Sequence, residues 1–135
     1  MGLFNFFSAK SGNQDKFLSE QDYKNKLAKQ TGMTPLTLVQ LRKYDVTEDK
    51  ELKLEYFFYT NTIDKAGLMA KELEELDYEV TFGQSGSDKK LFIVTGWTTP
   101  IKMSDAIVLN WAKQMCETGY KFDCDFDGWG TNPTQ

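Results

Sequence analysis

From residue 51 onward, apolar and polar positions change period in a regular order. Over residues 51–59, Leu52, Leu54, Tyr56 and Phe58 take every second place, the spacing of a strand with one buried face. Ala66, Met69, Ala70, Leu73 and Leu76 then recur at three- and four-residue steps, one face of a helix that Asn61 or Thr62 would cap. A second strand is predicted over 78–84, followed by the turn cluster Ser85-Gly86-Ser87-Asp88. The unbroken run Leu91-Phe92-Ile93-Val94 marks a third strand over 90–97, suited to a central position. Ser104 caps another helix, with Met103 and Val108 as a hydrophobic staple. Ile107, Trp111 and Met115 form its apolar face, and Gly119 stands near its end. A fourth strand is predicted over 121–126, with Phe122, Cys124 and Phe126 facing the core.

This order, β-α-β-β-α-β, predicts an α+β fold: a ferredoxin-like sandwich with an antiparallel four-stranded sheet and two helices on one face. Right-handed crossovers set the strand order 4-1-3-2. Ahead of it, Ser19 opens a helix with Asp22 as its capping-box partner, and Gly32 closes that helix. Thr34 and Pro35 then start a second short helix. The expected organisation is a tail and linker over 1–18, a helical hairpin arm over 19–47 and the sandwich over 48–135.

Composition narrows the chemistry. The chain of 135 residues has no histidine, which excludes histidine-based triads, imidazole-ligated metals and histidine proton shuttles. Cys116 and Cys124 form no C-x-x-C pair and suit buried, reduced thiols in a cytoplasmic protein. No apolar run is long enough to cross a bilayer, and the first residues lack the basic start and cleavage site of a secretory leader. Phe4, Phe6 and Phe7 pack onto the domain, fray, or anchor weakly at an interface. Charge is uneven: residues 1–43 carry seven Lys/Arg against three Asp/Glu, and residues 44–135 nine against seventeen. An acidic body repels nucleic acid and favours a basic partner surface.

Several constellations compete. Asp123, Asp125, Asp127 and Gly128 fit the opening of a calcium loop, but its twelfth position is Thr134 where a bidentate Glu is required. The aspartates are better placed as an acidic ladder on the open face of the last strand. Ala28, Gly32 and Leu38 have helix-turn-helix spacing, yet the second helix offers a groove little besides Thr37 and Gln40. Phe57 and Tyr59 face outward from the first strand, as base-stacking aromatics do in RNA-binding sheets. A nucleic-acid-binding module using the basic arm or these aromatics is therefore the alternative reading. No nucleophile elbow or phosphate-binding loop is present, so the chain is expected to be non-enzymatic and to need no cofactor or metal.

The segment Asp127-Gly128-Trp129-Gly130-Thr131 resembles the C-terminal signature of the regulator of ribonuclease activity B family. Leu54-Glu55-Tyr56-Phe57-Phe58-Tyr59, the helix ending in Tyr78-Glu79-Val80, and Trp111 support the resemblance over about residues 50–131. It implies a ferredoxin-like sandwich and a non-catalytic regulator whose partner is a ribonuclease or its scaffold. The family's best-known members inhibit ribonuclease E by binding its scaffold region. They begin with an acidic helical segment, whereas this arm is basic. The expected partner surface comprises Asp123, Asp125, Asp127, Trp129, Phe57 and Tyr59. The signature turn itself suits a structural role, with its glycines letting Trp129 fold over the sheet end.

Overall fold

The alternation along the first long strand shows how the layers lie. In the computed structural model, which describes residues 16–135, β2 (Leu54–Thr60) buries Leu54, Tyr56, Phe58 and Thr60. Glu55, Phe57 and Tyr59 between them stay half-buried, so only one face of the sheet is packed over. β2 lies centrally, between β4 (Phe92–Trp97) and β6 (Asp125–Thr131), and β3 (Glu79–Gln84) pairs on the far side of β4. The order is β3-β4-β2-β6 and every pair is antiparallel. Counting only these four strands in chain order, this is the expected 4-1-3-2. The fold is α+β. Met1 to Phe7 and nearly all of the expected linker lie outside the described residues.

Three boundaries differ from the sequence expectation. The first predicted strand is two: Glu51–Leu52 forms β1, which pairs with β5 (Ile101–Lys102) in a separate two-stranded sheet. Lys53 interrupts the run, its N–H donating to Gln135 Oε1 at 2.6 Å. The last strand starts at Asp125 and runs to Thr131, not over 121–126. The arm is no hairpin: α1 is one helix, Glu20–Arg42, with Gly32 and Pro35 inside it.

Packing explains the last difference. Tyr23, Leu27, Gln30, Thr34, Leu38 and Leu41 recur at three- and four-residue steps along α1, and all are buried or packed against the core. Gly and Pro cost roughly 1 and 3 kcal/mol in a helix interior. Burying Leu38 and Leu41 returns about 2 kcal/mol each, and the continuous stripe docks on one neighbour only if the helix does not turn at Gly32. That neighbour is α3 (Asp105–Lys121), where Tyr23 stacks on Tyr120 with ring centroids 4.5 Å apart.

Helix starts follow the expected side chains. Ser19 and Asp22 form a reciprocal capping box, Thr62 caps α2 (Ile63–Glu74), and Ser104 caps α3. Helix ends follow a different rule. Asp45, Asp77 and Asp123 each take φ between 60° and 66°. After α3, Asp123 N–H donates to Tyr120 O at 3.1 Å and Cys124 N–H to Gly119 O at 2.7 Å, a Schellman motif. Asp45 and Asp77 sit in the same arrangement after α1 and α2. Gly119 itself is inside α3. A Cβ there would stand 2.5 Å from Cys124 O and 2.9 Å from the Phe58 ring, so this glycine serves close packing.

Candidate functional site

The closing strand carries an irregularity that decides what its signature does. β6 pairs with β2 as Phe126 with Phe58, then Gly128 with Phe57 and Trp129 with Tyr56. Asp127 is the extra residue of a β-bulge, and Gly128 has φ +130°, a conformation that favours glycine. Strict alternation would put Phe126 and Trp129 on opposite faces. The inserted residue brings both to the core face, opposite Phe58 and Tyr56. Trp129 then meets Trp111 edge-on at 6.2 Å and donates its indole N–H to Thr34 Oγ1 at 3.1 Å. Thr131 Oγ1 closes the segment by donating to Lys53 O at 2.7 Å. The tryptophan thus fastens α1 and α3 to the sheet.

The three aspartates do not form an open ladder. Asp123 precedes the strand, and its carboxylate turns inward. It accepts from Phe17 N–H at 2.7 Å, Leu18 N–H at 2.8 Å and the Lys65 ammonium at 2.7 Å. Burial works to raise its pKa, but these hydrogen bonds outweigh it and hold the carboxyl below the usual carboxylate range. Asp125 and Asp127 share one cation, Lys26 of α1, at 3.2 and 3.3 Å. Burial alone would lower the Lys26 pKa, and the two carboxylates raise it instead. Part of the basic arm therefore neutralises part of the acidic body. Arg42 does likewise, reaching Asp105 at 2.6 Å and the carbonyls of Val46 and Met103 at 2.9 Å.

Beside the bulge lies a groove of about 180 Å³ between α1 and the sheet, lined by Gln30, Thr37, Phe57, Asp127, Gly128 and Trp129. Gln30 is 3% exposed, and its carboxamide makes no hydrogen bond among the described residues. From this groove the unpacked sheet face continues through Phe57 and Tyr59. By register, Thr95 and Ile93 of β4 stand beside them, with Glu55 and Trp97 in the next row. The structure thus brings together Phe57, Asp127 and Trp129, with Tyr59 and Asp125 opposite each other one row on. It sets Asp123 apart. Sequence reasoning missed Lys26, Gln30 and Thr34. Their four-residue spacing in line with Leu38 carries the signal, once the helix is not broken at Gly32.

Chemically the region offers hydrogen bonds, aromatic surface and paired charges. Burial pushes the Cys116 and Cys124 thiols up to about 12, so neither supplies a ready thiolate near neutrality. Among the described residues no three His, Cys, Asp or Glu side chains stand together as metal ligands.

The family model described as RraB, regulator of ribonuclease activity B, matches residues 34–131, more than half of the chain. The chain belongs to the RraB family. The RraB match starts at Thr34, the acceptor for Trp129, and ends at Thr131, the last residue of β6. Lys26 and Gln30 fall before it, although they complete the same site. Comparison with the curated proteins returns no match.

Proposed function

We propose that this protein is a non-catalytic, cytoplasmic, protein-binding regulator of a ribonuclease or the RNA-degradation assembly around it. The RraB family match carries this reading, because the family is described as regulating ribonuclease activity. The strand order with α2 and α3 supports a ferredoxin-like sandwich as its scaffold. The surface we assign to the partner is the unpacked sheet face with Phe57 and Tyr59, together with the groove at Asp127 and Trp129. Half-buried aromatics beside an unpaired carboxamide suit a protein contact, since aromatic residues dominate interface energetics. Asp125 contributes through its pair with Lys26, and Asp123 by holding the chain entry in place. Nucleic acid is disfavoured here, because α1 has no turn to form a helix-turn-helix and Lys26 and Arg42 are committed internally.

The test is a ribonuclease assay with the purified protein added, paired with affinity capture from the native host. Regulation predicts a dose-dependent change in cleavage rate and co-purification of a ribonuclease. Replacing Phe57 and Tyr59 together by Ala should weaken capture by about 2 kcal/mol or more, roughly 30-fold. Unchanged cleavage and a capture free of RNA-degradation factors would refute the proposal.

A further inference from the structure

The aspartates of the closing strand are tied to lysines, so the surplus negative charge of the body lies elsewhere. Residues 72–79 contain Glu72, Glu74, Glu75, Asp77 and Glu79 and no Lys or Arg. Of these, only Glu79 forms an ion pair among the described residues, with Lys53. Glu117 on α3 forms none either among the described residues. Glu72 and Glu117 of this charge border a second groove, between α2 and α3, on the side of the molecule opposite the unpacked sheet face.

That groove holds about 230 Å³, and its lining exposes more apolar than polar surface. Leu73, Trp111 and Met115 line it from the core, Leu76 stands 51% exposed at its edge, and Glu72 and Glu117 face it from the two helices. The Trp111 indole N–H donates to the Tyr78 hydroxyl at 3.1 Å, so its floor holds no indole N–H in need of a ligand. The cavity is smaller than the roughly 300–1,000 Å³ of small-molecule sites. It suits one anchoring apolar side chain of a larger partner.

We propose that the acid-rimmed groove between α2 and α3 docks a basic amphipathic helix of a partner protein, its apolar anchor on Leu73, Leu76 and Trp111 and its Lys/Arg side chains against Glu72 and Glu117. Charge complementarity selects this occupant. An acidic or neutral segment would leave the unpaired glutamates facing like charge or nothing, and nucleic acid would be repelled. Helix-in-groove docking needs an apolar stripe at three- and four-residue spacing, and Leu73 and Leu76 on one side of the groove and Trp111 and Met115 on the other give it apolar surface to rest on. The inference rests on the protein-binding reading above but uses a different surface.

The experiment is amide NMR titration of the full chain with a synthetic helical peptide carrying Leu on one face and Lys/Arg flanking it. A second peptide with every basic residue replaced by Glu is the control. Saturable binding of the basic peptide is expected, with shifts at Leu73, Leu76, Trp111 and Thr118. Glu72→Lys combined with Glu117→Lys should weaken it at least about 10-fold, and raising salt should weaken it too. Leu76→Asp, at an exposed position, should do the same without unfolding the protein. No saturation, equal binding of the acidic control, or shifts confined to Phe57 and Tyr59 would each overturn the proposal. Ribonuclease regulation by a wild-type chain that shows no saturable binding of the basic peptide would leave the sheet-face reading standing while this one fails.

Discussion

Asp45, Asp77 and Asp123 occupy the same left-handed backbone position after three helices, yet only Asp123 uses its side chain there. A non-glycine residue in this conformation costs about 1–2 kcal/mol, somewhat less for Asp. Asp45→Gly and Asp77→Gly should therefore each raise stability by about 0.5–1 kcal/mol, a rise of about 2–4 °C in Tm. Asp123→Gly should lower it by about 2 kcal/mol, because two N–H groups and the Lys65 ammonium lose a charged acceptor. Thermal unfolding of the three variants checks both signs. Acid should expose the same carboxylate. Its folded pKa is depressed, so its contribution is complete above the unfolded value of about 3.9 and is lost as pH falls through the lower folded value. Wild-type protein should lose Tm more steeply than Asp123→Asn below about pH 4. Parallel curves would show that the Phe17–Leu18 anchor is not acid-sensitive.

At the level of elements, α1 is where sequence signals and packing part company. Glycine followed by Thr-Pro is a sound stop-and-start signal when a helix is judged alone. Here Gln30, Thr34, Leu38 and Leu41 all face the body, and a turn at Gly32 would pull one pair away. Gly32 is exposed, and a Cβ there would meet nothing within 4 Å. Gly32→Ala should accordingly stabilise the protein by about 1 kcal/mol, as in any helix interior. In a hairpin with Gly32 at the left-handed helix end the same change would destabilise, so the sign of the Tm shift decides. The missed end of α3 has a related cause. A glycine near the end of an apolar stripe reads as a helix stop, but Gly119 is a packing residue, and the stop is Asp123 four positions on.

Across the whole molecule, α1 is part of the core and also its internal counter-charge. Leu38 and Leu41 belong to the same buried cluster as Tyr56, Phe58 and Trp111, and Lys26 and Arg42 pair with acids of the body. Removing residues 1–44 would expose Trp129 and the α3 face, and leave Asp125 and Asp127 without Lys26. The lost burial amounts to about 4 kcal/mol for the two leucines alone, against a total stability of about 5–15 kcal/mol. A chain starting at residue 45 should show no cooperative thermal transition, or one lowered by more than about 10 °C. A transition within a few degrees of the full chain would mean that α1 is dispensable.

The sequence by itself determined the order of the main-sheet strands and their two helices after residue 51, the N-caps Ser19 and Ser104, and the family mark, and it narrowed the cap of α2 to Asn61 or Thr62. Each depends on periodicities, caps or motifs confined to short stretches of chain. Only the tertiary structure decided that α1 is continuous, that Asp123 turns inward, and that the Asp127 bulge returns Trp129 to the core face. These outcomes rest on partners 58 to 101 positions away: Lys65 for Asp123, Thr34 for Trp129 and Lys26 for Asp127. No local pattern encodes a charge that is cancelled by a residue a hundred positions earlier. The surplus of acidic residues is legible as composition, but the pairing of Asp123, Asp125 and Asp127 with lysines is a matter of three-dimensional proximity.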